Sequence, residues 1–160
     1  MNSFTITTTI DLFDSMDELP AEVKELMQAA IEARDNAYAP YSKFNVGAAI
    51  LLDNNEVITG SNQENASYPS GLCAERTAIY YAGAKYPKAI IKRIAISATS
   101  QNHPVTSPIP PCGACRQAIA EYEIKQDEFI EIYFMGESGK VAKSNSLKDL
   151  LPLAFDKSVL

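Results

Sequence analysis

The sequence is short of the residues that most often carry acid–base chemistry and disulfide bonds. It contains one histidine, His103, no tryptophan and three cysteines, Cys73, Cys112 and Cys115. An odd number of cysteines leaves at least one thiol unpaired, so a disulfide framework does not account for them. His103 stands in a proline-rich stretch, QNHPVTSP, that is typical of a surface loop, and we assign it no catalytic role. A base that works at neutral pH is therefore expected among the other residue types.

Export signals, membrane spans and a basic surface are also missing. No apolar run approaches the ~20 residues that cross a bilayer, and the first ten residues, MNSFTITTTI, lack the basic and apolar regions of a signal peptide. Lys and Arg number 14 against 20 Asp and Glu, a formal net charge of −6, so neither nucleic acid nor a membrane is expected as a partner. We expect a cytoplasmic protein, in a reducing compartment where clustered cysteines more often bind metal or do chemistry than form disulfides.

The remaining composition is that of an ordinary globular chain, with 160 residues, 46% of them hydrophobic and 21% charged. Apolar residues from Val23 to Ile31 recur with helical spacing after Pro20. Beyond residue 46, strand and helix patterns alternate: strands at 46–52, 57–60, 90–98 and 129–135, and helices at 71–84, 113–122 and 147–151. This alternation predicts a layered α/β domain over residues 20–160, preceded by an N-terminal arm or edge segment at 1–19.

The three cysteines fall into one pattern. Cys112 and Cys115 form a C-x-x-C that follows two prolines, and taken alone it fits a redox pair, half of a zinc site or chance. The third cysteine, Cys73, stands two residues before Glu75. Together these residues match the zinc deaminase signature in its three-cysteine form, in which the glutamate is not a ligand. No cysteine is left over.

A resemblance to a known family extends well beyond the cysteines. CAERTA and PPCGACRQ closely resemble the cytidine deaminase family, and three further segments resemble it as well. In chain order the five segments are YSKFNVGAA at 41–49, NQENASY at 62–68, CAERTA at 73–78, PPCGACRQ at 110–117 and LLPLAF at 150–155. The resemblance runs in order from about residue 20 to residue 155, so that only the N-terminal arm and the last few residues lie outside it. The chain is most similar to the small, homotetrameric class that uses three cysteines per zinc.

That resemblance implies a three-layer α/β/α fold around a mixed five-stranded sheet, one Zn²⁺ per subunit and a homotetramer. It also implies hydrolytic deamination of cytidine and deoxycytidine to uridine and deoxyuridine, with release of ammonia, in pyrimidine salvage. The nucleoside would be bound by four residues of the matching segments, Phe44, Asn62, Glu64 and Tyr68. Phe155 resembles an aromatic residue that reaches into a neighbouring subunit's site in tetrameric members, although it would equally serve as a core anchor of its own chain.

The chemistry of this reaction explains the residue types. Hydrolysis at a cytosine ring needs an activated water, which zinc supplies from a site with three protein ligands and one open position. Three thiolates make the metal electron-rich. We therefore expect helix starts at Cys73 and Cys112 to stabilise the thiolates. Arg76 and Arg116 are expected to donate to sulfur, and Glu75 to carry protons between the water, the ring and the leaving amine.

Other functions remain open at this point. A deaminase of another cytosine-bearing compound, such as the blasticidin type, would share the fold, but Asn62 and Glu64 favour a ribose-bearing substrate. A nucleic-acid editing deaminase is disfavoured by the acidic charge. A non-catalytic zinc-binding module would keep the cysteines but would not need Glu75, so Glu75 favours an enzyme.

Overall fold

Six strands form one mixed sheet in the computed structural model, which describes residues 1–160. The strands are β1 (Asp11–Phe13), β2 (Phe44–Leu52), β3 (Val57–Ser61), β4 (Ile91–Ser100), β5 (Glu131–Met135) and β6 (Val141–Ser144). Their order across the sheet is β1-β6-β5-β4-β2-β3. Only β4 and β5 run parallel to each other, and a helix connects them, as a parallel crossover requires.

Helices cover both faces of the sheet. They are α1 (Ala21–Arg34), α2 (Ala74–Lys85), α3 (Gly113–Gln126) and the short α4 (Leu147–Leu150). Met27 of α1 packs in one buried cluster with Ala49 of β2, whereas Ile79 of α2 and Ile119 of α3 pack in another with Ile50. Successive residues of a strand point to opposite faces, so Ala49 and Ile50 serve the two layers. The three-layer α/β/α fold is thus confirmed. None of these helices has the length and hydropathy of a membrane span.

The sheet has six strands rather than the five that were predicted, because the N-terminal arm contributes one. Asp11 pairs with Lys143 and Phe13 with Val141 in an antiparallel register, which places β1 at the edge of the sheet. Leu19, just before α1, is buried. The second half of the arm therefore packs against the rest of the molecule.

Helix α2 lies directly against the backbone of β3. A methyl group added to Gly60 would come within 2.7 Å of both the Ala74 carbonyl oxygen and the Ala78 nitrogen. Such an approach is possible only without a side chain, so a glycine is needed here. The sheet thereby fixes the first turn of α2, where Cys73 and Glu75 stand.

Candidate metal centre and active site

The three cysteines meet at the starts of two helices. Cys73 is the residue that caps α2 and Cys112 the residue that caps α3, and neither side chain bonds to the helix backbone. Cys115 lies in the first turn of α3. The three sulfur atoms all lie within 4.8 Å of one another, and those of Cys112 and Cys115 are 3.5 Å apart. Free backbone N–H groups at both helix starts favour negative charge here, as expected for thiolates.

The chemistry and spacing of the three sulfur atoms fit a zinc ion. Zinc binds thiolate at ~2.3 Å in tetrahedral geometry, which separates neighbouring sulfur atoms by about 3.8 Å. Cys115 is buried, Cys73 is half-buried and Cys112 is exposed, so the group combines a fixed inner sulfur with an accessible side. Zinc is the cofactor that this group is placed to hold.

Hydrogen bonding already favours one thiolate in this group. The Cys115 thiol and the Arg76 guanidinium together lower the pKa of Cys73 to about 5, against the effect of burial. The Arg76 Nη2 donates to the Cys73 sulfur at 3.3 Å. The hydrogen bond between the Cys115 thiol and Cys73, together with burial, raises the pKa of Cys115. A bound cation would deprotonate the other two thiols as well, because a coordinating thiol loses its proton.

Glu75 stands beside the cysteines with its carboxyl group out of water. It is the second residue of α2 and only 5% exposed. Burial raises its pKa, and the negative charge of Cys73 acts in the same direction. A carboxyl group with a raised pKa both accepts and releases a proton more readily near neutral pH.

A cavity of about 450 Å³ opens beside Cys73 and Arg76. Its other lining residues are Tyr41, Ser42, Asn62, Gln63, Glu64, Asn65, Tyr68, Gly71 and Leu72. The Glu64 Oε2 accepts hydrogen bonds from the backbone nitrogens of Tyr41 at 2.9 Å and Ser42 at 3.3 Å. The Ser42 hydroxyl and these two N–H groups lower the pKa of Glu64, so its carboxylate is ionised at neutral pH. The Glu64 carboxylate is therefore a fixed negative charge in the cavity wall.

Asn62 connects the cavity wall to β2. Its Oδ1 accepts from the Val46 nitrogen at 2.8 Å, and its Nδ2 donates to the Phe44 carbonyl oxygen at 2.9 Å. An amide side chain has two donors and two acceptor positions. One N–H and one lone pair of Asn62 consequently remain for a ligand.

The aromatic residues predicted to bind substrate do not all reach this cavity. Tyr68 lines it, is 75% exposed and packs edge-to-face on Tyr41 at 6.1 Å between ring centres. Phe44 is half-buried at the start of β2 and is not among the lining residues. Phe155 is 62% exposed and is not among them either. Of these three rings, Tyr68 alone lines the cavity.

Arg116 makes different contacts from those expected. Its Nε donates to the Pro111 carbonyl oxygen at 2.8 Å and its Nη1 to the Leu150 carbonyl oxygen at 3.0 Å, rather than to sulfur. The backbone N–H groups of Tyr41 and Ser42, which hold Glu64, were not predicted from the sequence. Their only signal was their place in the matching segment 41–49, because a backbone donor has no signature of its own.

A buried acid beside a thiolate zinc site, at helix starts over a mixed sheet, is the arrangement of a zinc-dependent hydrolase. The family model described as "Cytidine and deoxycytidylate deaminase zinc-binding region" matches residues 20–130. The chain belongs to the cytidine deaminase family, and it is a zinc enzyme of that family.

Individual relatives agree with the family match. A cytidine deaminase of Halalkalibacterium halodurans is 46% identical over 130 residues, which cover 81% of this chain and 91% of the relative. One of Sporosarcina psychrophila is 37% identical over 139 residues, covering 87% and 95%. The crystal structure of cytidine deaminase from Burkholderia pseudomallei superposes with a TM-score of 0.72 at 39% identity, covering 86% of this chain and 100% of that one.

Proposed function

We propose that this enzyme hydrolyses cytidine and deoxycytidine to uridine and deoxyuridine, releasing ammonia, in pyrimidine salvage. The observation that carries the proposal is the buried Glu75 beside three cysteines, next to a cavity whose wall holds the ionised Glu64. The names of the relatives support the same substrate class. Three free thiols support a reducing compartment, and we propose the cytoplasm.

Glu75 carries the protons in this proposal. Cys73, Cys112 and Cys115 would hold the zinc ion, which would supply the Lewis acidity that makes water a nucleophile at neutral pH. Glu75 takes one proton as water attacks ring carbon C4 and delivers it to ring nitrogen N3. It then takes the second proton from the new C4 hydroxyl and passes it to the amino group, which leaves as ammonia while the C4 carbonyl forms. Water and cytidine are thereby converted to uridine and ammonia with no other reactant. The raised pKa of Glu75 suits a group that acts as base and acid in turn.

The cavity wall recognises the nucleoside. The Glu64 carboxylate and the remaining polar positions of Asn62 would bind ribose hydroxyls, and Tyr68 would pack on the ligand. Phe44 is connected to this wall by the hydrogen bond from the Asn62 Nδ2 to the Phe44 carbonyl oxygen. The charge of Glu64 would repel a 5′-phosphate. We therefore expect nucleosides to be preferred over nucleotides.

We also propose a homotetramer in which neighbours complete the site. Tyr41, Tyr68 and Phe155 are exposed aromatic residues of a single subunit. Phe155 lies outside its own subunit's cavity, which supports a place in a neighbouring site. A sedimentation measurement of the zinc-loaded protein tests the oligomeric state.

The substrate proposal is tested by the loss of ultraviolet absorbance of cytidine, deoxycytidine, cytosine and deoxycytidine 5′-monophosphate, with zinc per subunit measured alongside. We expect rapid turnover of the two nucleosides, and very poor turnover of the base and the nucleotide. Equal turnover of cytosine and cytidine would eliminate the ribose site. Stoichiometric zinc without any turnover would favour another cytosine-bearing substrate or a non-catalytic module.

Substitution of Glu64 tests the ribose site directly. Glu64→Ala should raise the KM for cytidine and also lower kcat, because contacts to the sugar orient the reacting ring. Glu56→Ala removes the same charge from an exposed turn between β2 and β3 and serves as the control. Equal effects of the two substitutions would mean that Glu64 acts only through the overall charge.

A further inference from the structure

Helix α4 is anchored at its start by a buried carboxylate of α3. Glu123 is only 4% exposed. Its Oε1 accepts from the Ser146 hydroxyl at 2.7 Å, and its Oε2 accepts from the backbone nitrogens of Ile130 at 2.9 Å and Leu147 at 3.0 Å. The start of α4 is therefore fixed relative to α3 and to the beginning of β5.

The end of α4 is held by a second side chain of the same helix, Arg116. This residue lies seven positions before Glu123, a spacing that places both on one face of α3. Its Nη1 binds the Leu150 carbonyl oxygen at 3.0 Å, at the end of α4 where helical carbonyl groups lack partners. Its Nε binds the Pro111 carbonyl oxygen at 2.8 Å, and its backbone nitrogen binds the Cys112 carbonyl oxygen at 2.9 Å. One residue thus joins α4 to the loop that enters α3.

The loop that enters α3 is fixed by the packing of the buried Pro111 and by the hydrogen bond that the Pro111 carbonyl accepts from Arg116. Pro110 and Pro111 have no backbone N–H, so they cannot donate the hydrogen bonds that usually fix a loop. Cys115 is held by burial, whereas Cys112 is exposed and has no packing of that kind. The place of the Cys112 sulfur consequently depends on how its backbone is held.

We propose that Arg116 is a positioning residue that sets the place of Cys112 by tying the Pro111–Cys112 backbone to the anchored end of α4. It acts through Cys112 and contacts neither the substrate nor the sulfur atoms. The planar guanidinium offers donors toward two carbonyl groups at fixed angles, which a lysine ammonium does not. The inference rests on the proposed function only in taking Cys112 as a zinc ligand.

The test is the rate at which zinc leaves the protein in the presence of excess chromogenic chelator. Residues that orient metal ligands typically change metal affinity or activity by 10–100-fold when they are replaced. We expect Arg116→Ala and Arg116→Lys both to release zinc about 10-fold faster than the unmodified protein, or more. In the cobalt-substituted protein, the thiolate-to-metal absorption band should weaken in the same two variants.

Two matched variants separate positioning from general loosening of the helix. Gln117→Ala removes the neighbouring bond to the Phe155 carbonyl oxygen, 2.7 Å long, and should leave zinc release within about twofold of the unmodified protein. Ile119→Val opens a small cavity in the buried face of α3 and lowers stability without touching the loop. It should also retain zinc at the unmodified rate.

Wild-type zinc release in Arg116→Lys and Arg116→Ala would overturn the inference. Equally fast release from Ile119→Val and Arg116→Ala would do so too, because loosening alone would then explain the loss. None of these measurements uses a nucleoside. A failure of the proposed substrate would therefore leave the result for Arg116 intact, and the reverse also holds.

Discussion

The pKa values of two carboxyl groups, Glu75 and Glu64, are shifted in opposite directions by their surroundings. The Glu75 side chain is buried away from solvent, and this burial raises its pKa. Glu64 is surrounded by the Ser42 hydroxyl and two backbone N–H groups, which lower its pKa. Neighbouring acids with pKa values displaced in opposite directions commonly divide the roles of proton carrier and fixed charge. We propose that Glu75 is the proton carrier and Glu64 the fixed charge.

Replacement of Glu75 by glutamine is predicted to remove catalysis and to spare the metal. Glu75→Gln keeps the size and hydrogen-bonding capacity of the side chain but cannot carry a proton. Turnover should fall by at least the ~10²–10⁴-fold that is typical of general acid–base groups, with zinc content unchanged. Cytidine should bind with comparable affinity, so the defect should appear in kcat. Zinc analysis and single-turnover rates provide the measurement.

Glu64→Gln is the matched control, since it makes the same chemical change at the fixed charge. Its defect should include KM, unlike that of Glu75→Gln. Turnover of Glu75→Gln within a few-fold of the unmodified enzyme would show that another group, such as His103 or a second water, moves the proton.

Arg76 and Arg116 show what local spacing predicts and what it does not. The position of Arg76, three residues after Cys73 in a helical start, placed it correctly beside a sulfur atom. Arg116 directly follows Cys115 in sequence, yet one of its acceptors is the Leu150 carbonyl, 34 residues further along the chain. A hydrogen-bond partner that lies on another helix or strand cannot be predicted from the residues next to the arginine in sequence.

At the scale of elements, the buried strands and the two helices that start at cysteines were predictable from composition. The predicted helix at 71–84 is α2 (Ala74–Lys85), and the predicted strand at 90–98 is β4 (Ile91–Ser100). The short strands β1, at the edge of the sheet, and β6, beside it, were not predicted, because three or four residues carry too little periodicity. They form strands because β1 pairs with β6 and β6 with β5, and this pairing exists only once the sheet has assembled.

The contact between α2 and β3 yields a prediction at this scale. A methyl group at position 60 would collide with the Ala74 carbonyl oxygen, so Gly60→Ala must push the first turn of α2 away from the sheet. Overpacking of this kind costs about 1–3 kcal/mol of unfolding free energy. Because Cys73 and Glu75 are next to Ala74, the variant should also hold zinc less tightly. Denaturant unfolding and metal analysis measure the two effects.

Gly113→Ala is the control for this experiment. A methyl group there meets no atom within 4 Å, and Gly113 is the first residue of α3. The unfolding free energy should stay the same or rise by up to ~1 kcal/mol through helix propensity. Equal stability losses in the two variants would contradict the close approach at Gly60.

At the scale of the whole molecule, the N-terminal arm has two parts with different contacts. Residues 6–8 form one wall of a groove of about 980 Å³, opposite the end of α3 and the C-terminal segment. Beyond them, β1 pairs with β6, and Phe13 and Met16 pack on the cluster around α1. The second part therefore covers an edge of the sheet that would otherwise be open to pairing with another chain.

Two truncations should separate these parts. Deletion of residues 2–10 keeps β1 and should change the unfolding free energy little, because Phe4 and Ile6 are exposed. Deletion of residues 2–16 removes Phe13 and Met16 and should cost roughly 2–4 kcal/mol. We expect kcat to stay unchanged in both forms, since no residue of the proposed site is removed. Equal stability of the two forms in thermal unfolding would contradict this division.

The meeting of two helix starts has a mechanical consequence for the chain. Cys73 and the Cys112–Cys115 pair are separated by roughly forty residues that contain β4 and the proline-rich loop. An ion bound to all three is a cross-link that closes this loop, as a disulfide would. Closing a loop of that length lowers the entropy of the unfolded chain by the equivalent of about 4 kcal/mol. A bound metal ion would therefore also stabilise the folded protein, because it cross-links the start of α2 to the start of α3.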